Sequence, residues 1–247
     1  MANPFERFDI KHLSPSSLNL YAANPALWTG RYLFGWRDEF GPAAQRGTAI
    51  EAGLDLWLFE RNLGDAVAKA LAHFAELTQG EASDEHEAER ANIAPMLQQA
   101  ALALKDCGKP IGRQMKVEHY ANGLEVPIIG YVDYLFENYG IDLKTTKACP
   151  SSIKPDHGRQ IALYSEAKKR PFHILYVTAK KSALIEQTPQ DAETHLRDLE
   201  RNGRAVRHLL ANSPTASDAA KFFAVERGDF RWSEALLTKA DELWRAA

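Results

Sequence analysis

The segment Gly130-Tyr131-Val132-Asp133 is followed closely by Asp142-Leu143-Lys144. The stretch Glu137–Gly140 between them reads as a turn joining two strands rich in β-branched and aromatic residues. About a turn centred between Glu137 and Asn138, Asp133 stands opposite Asp142. Directly opposed residues of paired strands point to one face, with Cβ atoms about 5 Å apart. Lys144, two residues beyond Asp142, shares that face, whereas Ile141 and Leu143 point to the other. Two carboxylates so close repel, and one pKa must rise unless a cation sits between them. A hard ion such as Mg²⁺, which takes oxygen ligands and retains waters, fits that pair. An exposed Asp–Asp–Lys face closed by an ordinary salt bridge has the same pattern.

Two further features surround this cluster. Glu51, in Arg46-Gly47-Thr48-Ala49-Ile50-Glu51, lies beside an apolar helical stripe, where a carboxylate is either half-exposed or compensated by a ligand. Gln160 and Tyr164 stand four apart on one helix face, just after a basic stretch.

The elements that must position these residues are legible. Ser14 followed by Pro15 reads as an N-cap opening a short helix through Tyr21, ended by Asn24-Pro25, which starts another through Trp28 and Tyr32. After Gly41-Pro42 a helix runs to about Asn62, and two more cover about 65–79 and 84–107, so the first 110 residues are helical. Residues 113–120 and 125–136 read as strands joined through Asn122-Gly123, a strong hairpin signal. A third strand covers Ile141–Thr145. A helix from about Asp156 to Lys169 precedes strands 172–179 and 183–188, a long helix from Pro189 to Leu210, and terminal helices around Ser233–Arg245. The order is that of a mixed α/β fold.

The chain has 30 basic and 33 acidic residues, a net −3. From Lys144 to Lys181, however, nine cations face two anions, a net +7 that leaves −10 on the remainder. Such segregation points to an anionic ligand near the basic segment, phosphodiester backbone being the commonest. On charge alone, a solvated helix face is the better account. Cys107 and Cys149, too few and too far apart, exclude a zinc cluster, iron–sulfur ligation or a disulfide framework. No phosphate loop of the GxxxxGK[ST] type occurs, so no bound nucleotide is expected. With no run of 18 apolar residues and no apolar leader, the expectation is a protein without a membrane partner, cytoplasmic in a bacterial or phage-infected cell.

Taken in order, Ser14-Pro15-Ser16-Ser17-Leu18 with Tyr21 and Asn24-Pro25, Arg46-Gly47-Thr48 with Glu51, the GxxD of Gly130–Asp133, the DxK of Asp142–Lys144 and the QxxxY of Gln160–Tyr164 resemble the RecB-like nucleases of the PD-(D/E)XK superfamily over about residues 13–180. The glutamate at position 51, where such members usually carry His, is similar to phage recombination exonucleases. Asn24 stands where the iron–sulfur relatives carry a cysteine.

The resemblance implies a restriction-endonuclease-like mixed sheet flanked by helices, with a helical N-terminal portion, in one nuclease domain over 1–247. That domain comprises a mainly helical part with Glu51 (1–110), a catalytic sheet core (111–190) and C-terminal helices (191–247). It implies a Mg²⁺-dependent deoxyribonuclease, with Mn²⁺ as substitute, acting as an exonuclease in recombination, repair or phage DNA processing. A structure- or strand-specific endonuclease and a silent DNA-binding subunit are the alternatives. Asp133 and Asp142 would be metal-bridging carboxylates, with Glu51 a further ligand and the Leu143 carbonyl another, and Lys144 would orient or deprotonate the attacking water or neutralise the phosphate. Gln160 and Tyr164 would brace the site or contact the strand. Ser14, Ser16 and Arg46 would touch phosphates, and Lys147, Lys154, Arg159, Lys168 and Lys169 would line a groove for DNA backbone. Glu118 is a lesser acid beside the site. Trp28, Tyr32 and Trp36 are candidates for base stacking, core packing being the better expectation for most. Besides DNA, a separate strand-annealing or helicase protein and a homo-oligomer are implied as partners.

Overall fold

The computed structural model describes residues 3–38 and 40–246. Helix α1 (Pro15–Ala23) opens as its sequence dictates. The Ser17 N–H donates to Ser14 Oγ, the Ser14 N–H donates to Ser17 Oγ, and Pro15 fills the first position. Asn24 ends that helix and caps α2 (Pro25–Leu33), its Oδ1 accepting from the Leu27 N–H at 2.9 Å. Three helices then form one layer: α3 (Pro42–Glu60), α4 (Leu63–Leu77) and α5 (Asp84–Ala103). The stripe Ile50, Leu54, Trp57 and Leu58 of α3 is buried against the other two. Helix α5 stops short of the expected residue 107. Lys105 and Asp106 offer nothing to bury, and Gly108 turns the chain at φ +67°.

The sheet runs in the order β1 (Gly112–His119), β2 (Ile128–Leu135), β3 (Gly140–Thr145), β4 (Phe172–Val177), β5 (Ser182–Glu186). Pairing is antiparallel except between β3 and β4, which are parallel. That parallel step is crossed by α6 (Pro155–Lys168), as a parallel connection requires. Helices α7 (Pro189–Ala211), α8 (Ala216–Ala220) and α9 (Glu234–Ala246) complete the chain. Strand β2 begins at Ile128 rather than 125, because Pro127 has no N–H for the ladder. The preceding loop, in which Gly123 adopts φ +83°, is pinned to α7 through Glu125 and Arg207.

Both faces of the sheet are covered, and β4 is apolar apart from His173. Ile174 and Tyr176 join one core with α1, α6 and α7; Leu175 and Val177 join the other, with α3, α4 and α5. A smaller cluster holds α9 against α2 through Leu27, Trp232 and Leu236. No described helix is long and apolar enough to cross a membrane.

One departure from regularity creates room for chemistry. Strands β2 and β3 pair only at Tyr134↔Ile141 and Leu135↔Gly140. Further along, β2 takes a different neighbour. The Leu13 N–H donates to the Pro127 carbonyl at 2.9 Å, and the Ile129 N–H donates to the Leu13 carbonyl at 2.8 Å. The entry to α1 thus occupies the place that β3 vacates.

Candidate active site

The site lies where the β2–β3 ladder ends. The observed register, extended by one residue, sets Asp133 opposite Asp142. There a side chain takes over from the backbone: the Leu143 N–H donates to Asp133 Oδ2 at 2.9 Å. The Leu143 side chain itself is buried in the α3–α5 core. Asp142 is fully buried, and its Oδ2 lies 2.6 Å from Lys144 Nζ, an ion-pair contact outside hydrogen-bond geometry. A cavity of about 420 Å³ opens above, lined by Glu51, Asp133, Lys144, Gln160 and Tyr164 among others. Larger cavities of about 590 and 650 Å³ lie away from these carboxylates.

Each element presents its residue for a local reason. On β3, Ile141 and Leu143 enter the α3–α5 core, which leaves Asp142 and Lys144 on the opposite face. Helix α3 carries Glu51 half-buried beside its apolar stripe, and the Tyr134 hydroxyl makes a long, 3.4 Å hydrogen bond to the Glu51 carbonyl. On α6, the Gln160 side-chain amide donates to Asp142 Oδ1 at 3.0 Å and to the Tyr164 hydroxyl at 2.8 Å. A Cβ on Gly130 would stand 2.6 Å from the Tyr164 ring, so the glycine of GxxD and the tyrosine of QxxxY are a fitted pair.

The electrostatics are those of an excess of acid. Burial first, then Asp142, push the Asp133 carboxyl well above the usual carboxylate range, with Lys144 opposing. Burial likewise pushes Glu51 up to about 7, Lys144 opposing and Asp142 and Asp55 adding to the rise. Burial presses the Lys144 ammonium toward the neutral form, but the attraction of Asp142 and Asp133 outweighs it, and its pKa rises. The lysine is therefore held firmly charged among three carboxylates.

Other residues expected at the site lie in varied places. Ser14 and Ser16 line the cavity mouth with hydroxyls 3.0 Å apart, although Ser14 also caps α1. Arg46 requires correction as a phosphate contact. Its side chain is buried, ion-paired with buried Glu89, and its Nη2 donates to Thr145 Oγ1 at 3.3 Å. A guanidinium so committed braces the end of β3 from within. Arg159 is half-buried, its Nε donating to Asn19 Oδ1 at 2.6 Å to tie α6 to α1. Lys147 is exposed on the loop leaving β3. Lys154 precedes α6, whereas Lys168 and Lys169 stand at its far end, about 20 Å away along a helix of this length, so the basic run is not one groove. Glu118 is away from the cavity lining and pairs with Lys116 at 2.6 Å. Trp28 is fully buried, Tyr32 stacks on it with one side exposed, and Trp36 meets Trp244, so Trp28 is a core residue as expected.

Sequence reasoning missed two participants. Gln114 lines the cavity and its amide donates to Asp133 Oδ1 at 3.3 Å; a glutamine near a strand start carries no signature. Glu89 had a readable signal: it continues the α5 stripe of Ile93, Leu97 and Ala100, an acid on an apolar face.

Among the described residues, no three His, Cys, Asp or Glu side chains are gathered closely enough to hold a metal ion as they stand. The donor chemistry nonetheless suits a hard divalent cation. Two carboxyls are held above their normal range, and the buried Asp142 Oδ2 has no hydrogen-bond donor, only the contact with Lys144.

No curated protein sequence matches the chain significantly. A crystal structure described as a "Putative exonuclease" from Eubacterium rectale superposes with a TM-score of 0.59 at 15% identity, covering 92% of this chain and 88% of that one. That likeness shows the fold, a restriction-endonuclease-like mixed sheet flanked by helices. A second structure, SSO0001, is 17% identical over 63% of this chain and 83% of its own, and its TM-score of 0.35 adds nothing to the assignment. The family model of the PD-(D/E)XK nuclease superfamily matches residues 12–243, nearly the whole chain, and the chain belongs to that superfamily.

Proposed function

We propose that this protein is a divalent-metal-dependent deoxyribonuclease, acting from DNA ends in recombination, repair or phage DNA processing. One observation carries the reading: Glu51, Asp133 and Lys144 open on a single cavity at the break in the β2–β3 ladder, with Asp142 buried beneath. Superfamily membership supports hydrolysis of phosphodiesters, and the description of the Eubacterium rectale protein supports the exonuclease choice.

Asp133, Asp142 and Glu51, with the Leu143 carbonyl, would hold the cation, Mg²⁺ or Mn²⁺. When bound, that ion supplies Lewis-acid activation of the phosphate and of a water. The protein's own groups do the rest. Lys144, kept protonated by its acidic neighbours, neutralises charge growing on the phosphate rather than serving as a base. Gln160 holds Asp142 in place and is itself fixed against Tyr164. The Ser14 and Ser16 hydroxyls stand at the mouth, where they donate to flanking phosphates. Exposed Lys147 adds attraction for the backbone without reading sequence.

The decisive experiment digests end-labelled linear DNA and covalently closed circular DNA with Mg²⁺ and with EDTA. Metal-dependent loss of linear DNA alone is the expected result, and the label reports polarity. Cutting of circles would replace this reading with an endonuclease. Binding without cleavage of either substrate would make the chain a silent DNA-binding subunit.

A further inference from the structure

Gln114 occupies a position that no ordinary strand residue would take. Its φ is +47°, in the left-handed region, although it lies within β1 and is not glycine. Such backbone costs free energy and persists where surrounding structure enforces it, commonly at functional sites.

The consequence is visible on both strands. Arg113 reaches Asp55 of α3 at 2.7 Å, on the α3–α5 side, whereas Met115, two residues on, packs into the α1–α6–α7 core. In regular β-structure those two side chains would share a face. Strand β2 makes the same reversal at the paired position: Val132 belongs to the α1–α6–α7 core and Tyr134 to the other. The ladder runs from Arg113↔Tyr134 to Met115↔Val132 and skips one pair, so Gln114 and Asp133 stand across from each other, unpaired, at the centre of the reversal. There its amide reaches Asp133 Oδ1, while the Leu143 N–H occupies Oδ2.

We propose that Gln114 is a positioning residue: its left-handed backbone turns the β1 side chain into the cavity, where the amide fixes the orientation of the Asp133 carboxylate. The inference rests on the nuclease reading for its kinetic consequence, though not for its structural one. Relaxing the strain should loosen the carboxylate without loosening the fold.

The experiment compares wild type with Gln114→Gly, which accepts the backbone conformation and removes the amide, and Gln114→Asn, which tolerates the same backbone and keeps a shorter amide. Three quantities are measured: melting temperature, Mn²⁺ affinity of the DNA-free protein by calorimetry, and kcat and KM on labelled linear DNA. For Gln114→Gly the melting temperature should be no lower than wild type, Mn²⁺ binding and kcat should each fall about 10–100-fold, and KM should stay within about twofold. Gln114→Asn should lie between Gln114→Gly and wild type in both Mn²⁺ affinity and kcat. Unchanged Mn²⁺ affinity in Gln114→Gly would overturn the proposal, as would a lower melting temperature with a proportional loss of activity, which marks a merely structural residue. If wild type binds Mn²⁺ but cleaves no DNA, the nuclease reading fails, and the calorimetric comparison still decides the role of Gln114.

Discussion

Glu89 and Asp142 are both buried acids, yet the molecule treats them differently. Glu89 meets one partner, the buried Arg46 guanidinium, and the charges cancel. Asp142 shares a single lysine with Asp133 and Glu51, so acid outnumbers base three to one. The first pair ties helices α3 and α5 together, and through Thr145 to β3, ending within a few residues of the second cluster. One arrangement is closed and serves the fold; the other leaves charge uncompensated and open to a cavity. Burying charge is costly unless it is paired, so the excess of acid in the cleft holds two carboxyls above their usual range, and in the proposed reading a divalent cation would offset it.

Breaking the open cluster should have the largest effect, and on activity alone. Lys144→Ala and Asp142→Ala should each lower kcat by at least about 100–1,000-fold while DNA binding persists. Single-turnover cleavage beside a filter-binding isotherm checks this, and retained activity in pure protein would remove these residues from the site. Breaking the closed pair should act on stability instead. Glu89→Gln strands a buried guanidinium and should cost about 3–5 kcal/mol in urea unfolding, whereas Arg46→Met with Glu89→Leu should restore most of that loss. A double variant no better than the single would show that the pair does more than cancel charge.

The smallest effect sharpens the contrast. The folded-state pKa of Glu51 is raised to about 7, above its unfolded value near 4.5. Between those limits the metal-free folded protein binds more protons than the unfolded chain, so stability falls as pH rises through that window and is flat above it. Glu51→Gln should reduce this slope, leaving the part that Asp133 contributes, and raise stability at pH 8 by on the order of 1 kcal/mol, discounted for a half-exposed position. Thermal unfolding at pH 5 and pH 8 in EDTA reads it. A wild-type protein equally stable at both would mean that Glu51 stays ionised in the fold.

Much of the architecture was legible because it depends on local rules. Ser14-Pro15, Asn24-Pro25 and the apolar stripe of α3 announce their helices through capping and periodicity. The opposition of Asp133 and Asp142, one step beyond the observed Tyr134↔Ile141 pair, followed from the symmetry of the strands about a short turn. Arg46 was misread because its neighbourhood in sequence suggested a cleft, while its partner lies 43 residues away on another helix. The basic run was overvalued because α6 carries its lysines to opposite ends.

What the chain determined by itself is the set of elements, the order of the strands' chemistry and the face shared by Asp142 and Lys144, all consequences of turns, caps and periods spanning a few residues. Only the tertiary structure decided that Arg46 is an internal brace, that Gly130 must yield to Tyr164, and that Gln114 adopts a left-handed backbone across from Asp133. Those outcomes depend on which distant surfaces meet. Contact between remote segments, not local preference, sets burial, and burial sets what each charge and each backbone turn can do.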